Sequence, residues 1–76
     1  MRELIEYIAK QLVDNPAAVS LLEEEKEGKT VFKLKVGEPD VGKIIGRKGR
    51  TAQAMRVLLS AVAAKSGKRA MLEVLD

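Results

Sequence analysis

The chain contains no cysteine, no histidine and no tryptophan, and it has only one tyrosine and one phenylalanine. Without cysteine there is no disulfide framework, and without cysteine or histidine there is no ordinary zinc site. The same absences remove the imidazole base, the thiolate nucleophile and any Ser-His-Asp arrangement. Catalysis would have to rest on carboxylates, lysines or Tyr7 within 76 residues, a core too small to spare a substrate pocket. A non-enzymatic module without metal, cofactor or small-molecule substrate is expected. Long apolar runs are also missing. The longest charge-free stretches, Asn15 to Leu22 and Val57 to Ala64, are eight residues each, and a membrane span needs about 20. The first six residues hold one arginine and two glutamates with no apolar stretch, so no signal peptide and a cytoplasmic location are expected.

What is present describes one small globular domain over residues 1–76, with 46% hydrophobic and 33% charged residues. A domain of this size buries only about 60% of the surface its unfolded chain exposes, so a partner that covers more of it would add stability. The net charge of +3 is distributed unevenly. Residues 1–27 carry seven acids and three bases, a balance of −4, and residues 28–76 carry four acids and eleven bases, a balance of +7. Between Val41 and Arg50 stand Lys43, Arg47, Lys48 and Arg50 with no acid among them. Such asymmetry suits a polyanion on one face, although a solvated charged surface would read the same way.

Hydrophobic spacing sets the element order. Leu4, Ile5, Ile8 and Leu12 predict a helix from Arg2 to Asp14, stopped by Asn15-Pro16. Ala17 to Lys26 reads as a strand, Glu27-Gly28-Lys29 as a turn, and Thr30 to Val36 as a second strand that alternates Phe32, Leu34 and Val36 with Lys33 and Lys35. Asp40 is a candidate N-cap for a short helix from Val41 to Ile45, closed by Gly46. A long helix follows from Arg50 to Ser66, with Ala52, Met55, Leu58, Leu59 and Val62 on one face and Gly67 as its left-handed cap residue. Arg69 to Leu75 closes the chain as a strand. The expected fold is α+β in the order α-β-β-α-α-β, a three-stranded sheet with helices on one face.

Three glycine patterns compete for a functional meaning. Gly37 to Lys43 matches the first seven positions of a P-loop, but Ile44 stands where a magnesium-binding hydroxyl is required. Pro39 removes a phosphate-facing donor there, and Glu38 and Asp40 would repel the anion. Gly42 and Gly46 form GxxxG, which promotes helix pairing only in an apolar span. Gly46-Arg47-Lys48-Gly49 fits better. Two glycines three apart allow a tight turn into the long helix, whose first N–H groups favour an anion. Both residues between them are cationic and suit phosphate.

With Val41-Gly42-Lys43-Ile44-Ile45 in front, this segment resembles the GxxG signature of KH domains, whose loop clamps the backbone of about four nucleotides. The resemblance covers the whole chain, because the element order is that of stand-alone type II KH domains of small bacterial RNA-binding proteins. It implies that Gly46 and Gly49 shape the loop and that Arg47 and Lys48 meet phosphates, with Lys43 and Arg50 as electrostatic support. It also implies an apolar groove for bases at Ile45, Ala52 and the edge of the Phe32 to Val36 strand. Many KH domains carry a large aliphatic residue where Ala52 stands, so a shallow groove with modest base specificity is expected. The only aromatics, Tyr7 and Phe32, lie far from the loop in sequence, which disfavours base stacking on an aromatic platform.

The expected ligand is single-stranded RNA, with DNA left open, and the expected role is post-transcriptional regulation or RNA chaperoning. Family members are associated with self-pairing and with a larger KH-containing protein. A homodimer or such a complex is therefore the competing reading, in which the chain acts mainly as an interaction module.

Overall fold

The computed structural model describes residues 1–75. Helix α1 spans Arg2–Leu12, strands β1 and β2 span Ser20–Lys26 and Lys29–Lys35, helix α2 spans Val41–Ile45, helix α3 spans Arg50–Lys65, and strand β3 spans Arg69–Leu75. Single 3₁₀ turns occupy Pro16–Ala18, Glu38–Asp40 and Arg47–Gly49. The order α-β-β-α-α-β is the one the hydrophobic spacing predicts.

Helix α1 buries Ile5 and Ala9 and ends two residues before the expected Asp14. Val13 is already extended, at φ −97° and ψ 157°. The amides that would have continued the helix are taken elsewhere: the Asp14 and Asn15 N–H groups donate to the Asp40 carboxylate at 3.2 and 3.1 Å. Pro16 then winds a turn that the strand pattern does not anticipate, so β1 starts at Ser20 rather than Ala17. Glu27 and Gly28, at φ 52° and 78°, form the two-residue hairpin turn. Positive φ at both positions matches the twist of the flanking strands.

Strand β2 is central, antiparallel to β1 and parallel to β3. A parallel pair requires a long crossover, and α2 and α3 supply it. Leu21, Phe32, Leu34 and Leu72 point from the sheet into one core with Ile5, Ala9, Ile44, Met55 and Leu59, which places the helices on a single face. Among the described residues, no helix covers the opposite face, which carries Leu22, Lys33, Lys35, Met71 and Glu73.

Along α3 the buried stripe is Ala52, Met55, Leu59 and Ala63. The expected stripe of Ala52, Met55, Leu58, Leu59 and Val62 is thus rotated slightly: Leu58 is exposed and Val62 only half-buried. Small residues at both ends of the stripe let the helix approach the sheet closely. Its C-terminus closes with paired bonds, Gly67 N–H to the Ala64 carbonyl and Lys68 N–H to the Ala63 carbonyl, both 3.0 Å. Gly67 adopts φ 67°, the left-handed conformation that this cap requires.

Candidate nucleic-acid interface

The loop between α2 and α3 is built by backbone conformations that few residues tolerate. Of the two isoleucines before it, Ile44 is fully buried in the core and Ile45 is 37% exposed beside the loop. Gly46 then turns the chain at φ 76° and ψ 174°, a region open essentially to glycine alone. There is a second reason for glycine. A Cβ at Gly46 would lie 2.1 Å from the Thr51 Oγ1, 2.6 Å from its Cβ and 2.9 Å from its backbone nitrogen. Gly49 is left-handed at φ 72°, but its missing Cβ faces open space. Between them Lys48 is also left-handed, at φ 58° and ψ 26°.

Three positive φ angles in four residues bring the chain directly from the end of α2 into α3. The Gly46 N–H closes α2 on the Gly42 carbonyl at 2.8 Å, and the Gly49 N–H closes the loop on the Gly46 carbonyl at 3.1 Å. Gly49 has no side chain with which to cap α3, so no carboxylate or hydroxyl from that position occupies the positive end of the helix dipole. Arg47, Lys48 and Arg50 are exposed around that end, and none forms an ion pair among the described residues.

Lys43 behaves differently. Its ammonium donates to the Asp14 carboxylate and, at 3.3 Å, to Asp40 Oδ1. The hydrogen bond with Asp14 is the main reason that the Lys43 pKa is raised; burial opposes it, and Asp40 adds to it. Burial works to raise the Asp40 pKa, but the Asp14 and Asn15 amides and Lys43 together hold it below the ordinary aspartate value. Asp40 stands at the N-cap position of α2 without capping it. It ties the end of α1 to the first turn of α2 instead.

A sequence profile of the KhpA/KhpB KH domain matches residues 2–74. The chain belongs to the KhpA/KhpB KH-domain family. It is 54% identical to the RNA-binding protein KhpA of Borreliella burgdorferi over 97% of this chain and 90% of that protein. The KhpA of Treponema pallidum is 49% identical over 97% of this chain and 92% of its own length. That of Aquifex aeolicus is 42% identical over 100% of this chain and 96% of its own.

The KhpA-like frame brings Ile45, Gly46, Arg47, Lys48, Gly49 and Arg50 together at one end of the molecule, and it separates the other two candidates from them. Lys43 is held in its acidic clasp, and Ala52 is only 3% exposed, its methyl group part of the α3 stripe. The expected groove wall also moves. The Phe32 to Val36 strand has no free edge, because β2 is paired on both sides. The open edge facing α3 belongs to β3, where the Arg56 Nε donates to the Leu72 carbonyl at 3.1 Å. A cavity of about 220 Å³ opens there between Arg56, Ser60, Ala70, Met71 and Leu72. Sequence reasoning missed Thr51, which makes glycine obligatory at Gly46, the Asp14–Lys43–Asp40 clasp, and Arg56. Thr51 is five residues from Gly46, and a tight turn after a GxxG pattern is the one signal that could have pointed to it.

Proposed function

We propose that this KhpA/KhpB-family chain is a non-enzymatic single-stranded RNA-binding protein of the cytoplasm, acting as a post-transcriptional regulator or RNA chaperone. The observation that carries this reading is the Gly46–Gly49 loop, which presents Arg47, Lys48 and Arg50, without acidic partners among the described residues, around a helix start with no side-chain cap. Gly46 shapes the turn and Gly49 leaves open space for the backbone of the RNA, Arg47 and Lys48 neutralise its phosphates, and Arg50 adds charge from the first turn of α3. Ile45 provides an apolar contact for a base, and the α3–β3 groove provides further contacts along the strand. Ala52 supports this surface from beneath, and Lys43 orients α2 rather than meeting phosphate. The names of the relatives, RNA-binding protein KhpA, agree with this reading.

The test titrates a labelled single-stranded RNA pool with the wild type and with Arg47→Asp/Lys48→Asp at two salt concentrations. Aspartate enters the left-handed region more readily than most residues, so circular dichroism should show the variant folded. Salt-sensitive binding by the wild type, lost in the folded variant, is expected. Equal binding by both proteins refutes the loop as the RNA site, and a DNA competitor of the same sequence reports the preference for ribose.

A second reading rests on α3, where Val57 is 61% and Leu58 44% exposed. That apolar pair suits a homodimer or a complex with a larger KhpB-like protein, and pairing two weak RNA sites would raise their joint affinity through effective concentration. Light scattering with and without RNA separates dimerisation from RNA binding.

A further inference from the structure

A second group of cations lies at the end of the molecule away from the Gly46–Gly49 loop. The strand register sets Lys26 opposite Lys29 and Lys29 opposite Arg69, a row of three bases abreast across the whole sheet. Lys68 precedes Arg69 directly. This row stands where α3 ends, and the loop stands where α3 begins; its 16 residues at about 1.5 Å each separate the two by about 24 Å. Like charges directly opposite one another in a sheet are destabilising, and no ion pair among the described residues offsets them. None of Lys26, Lys29, Lys68 and Arg69 takes part in an ion pair among the described residues, whose pairs employ Glu6, Glu23, Glu24, Asp14 and Asp40. The nearest acids along the chain are Glu25, which accepts the Thr30 hydroxyl, and Glu27 in the hairpin turn. The row therefore stands as uncompensated positive charge among the described residues, a field that favours an anion at this end of the sheet.

The site is also concave and continuous with the groove already described. A cavity of about 300 Å³ is lined by Lys29, Ser60, Lys68, Arg69, Ala70 and Met71. Its neighbour along the β3 edge shares Ser60, Ala70 and Met71 with it. Lysine ammoniums and an arginine guanidinium supply charge and donors for phosphate oxygens. The Ser60 hydroxyl and the half-exposed Met71, at 48%, offer a polar and an apolar contact to a nucleotide between them.

We propose that Lys26, Lys29, Lys68 and Arg69 form a second phosphate-binding site that takes the continuation of a single-stranded RNA leaving the α3–β3 groove. This rests on the RNA-binding reading above and extends it: the footprint runs the length of α3 and exceeds the about four nucleotides held by a GxxG loop alone. The row contributes charge and length rather than base discrimination.

The experiment compares an oligonucleotide of about four nucleotides with one of about twelve, within the range of known single-strand footprints. Wild type, Lys26→Gln/Lys68→Gln/Arg69→Gln and Arg47→Asp/Lys48→Asp are titrated with each at several salt concentrations. The wild type should bind the longer RNA at least about tenfold more tightly, as expected when a second site acts on an already tethered strand. The triple variant should lose most of that gain and keep its affinity for the short RNA. Its salt slope on the long RNA should become shallower by about 1 to 2, at about 0.7 for each phosphate that is no longer neutralised. Because Lys26, Lys68 and Arg69 are exposed, its thermal melt should stay near that of the wild type. Glu27→Asn gives a complementary arm: it removes the acid beside the row, suits the left-handed turn position, and should tighten the long RNA alone.

Unchanged binding of the long RNA by the triple variant overturns the proposal while leaving the loop site standing. So does a triple variant that loses only self-association in light scattering, since the row would then face a second copy of the chain. Full binding of both oligonucleotides by the loop variant refutes the loop reading instead.

Discussion

At the residue scale, two glycines that look equivalent in the motif differ in what they tolerate. Gly49 needs only a left-handed backbone, which costs an ordinary residue about 1–2 kcal/mol. Gly46 needs a conformation reserved for glycine and also space that Thr51 already fills. Gly46→Ala should therefore destabilise the protein by clearly more than Gly49→Ala, about 3 kcal/mol against about 1 kcal/mol in urea denaturation. Adding Thr51→Ala should not restore Gly46→Ala, because the Thr51 Cβ and backbone nitrogen remain within 2.6 and 2.9 Å of the new methyl group. Full rescue would mean that the hydroxyl alone excludes a side chain at Gly46. The motif was legible at this scale, since GxxG with a basic filling can be read directly. The asymmetry was not, because it depends on a contact that only the folded turn creates.

At the scale of elements, α2 is too short to hold itself in place. Five residues form a helix that is marginal in water, and this one is anchored through Asp40 to the end of α1 and through Ile44 to the core. Because the Asp40 pKa is lowered from 3.8, its contribution is fully present above the unfolded value and is lost as pH falls through the folded one. The Lys43 pKa is raised from 10.5, so its contribution is present below that value and is lost as pH rises through the folded one. The clasp therefore acts across the range between these limits and fails at either extreme. Asp40→Asn should lower stability at neutral pH and flatten the fall in urea midpoint below about pH 4. A variant with the wild-type acid profile would remove Asp40 from this role. The same clasp explains why Lys43, which reads in sequence as one more base near the loop, is not available as a free cation.

On the scale of the whole molecule, the sheet has one covered face and one open face, and stability rests on a few large side chains. Phe32, Leu34, Ile44 and Leu59 are the largest fully buried ones. A chain of this length has a total stability of about 4–11 kcal/mol, and truncating a buried phenylalanine costs about 3–5 kcal/mol. Phe32→Ala, on the central strand, should leave much of the population unfolded at 37 °C by circular dichroism. A melting temperature within a few degrees of the wild type would show that the core is less dependent on Phe32 than its burial indicates.

Charge asymmetry is a further property of the whole chain. The sequence shows that the bases gather after residue 27, but it cannot show that they separate into two sites at opposite ends of α3. The register of three strands and the direction of one helix make that division.

The sequence by itself determined the kind and order of the elements, the hairpin turn and the GxxG loop with its cations. Those features are written in periods of two and 3.6 residues and in short-range backbone chemistry, which neighbouring residues specify among themselves. Only the tertiary structure decided that β3 rather than β2 offers the free edge, that Lys43 is neutralised by acids 29 and three positions before it, and that Lys26, Lys29 and Arg69 stand abreast. Each of those outcomes depends on segments meeting across the fold. Hydrophobic burial brings them together, and the local pattern of no single segment encodes the meeting.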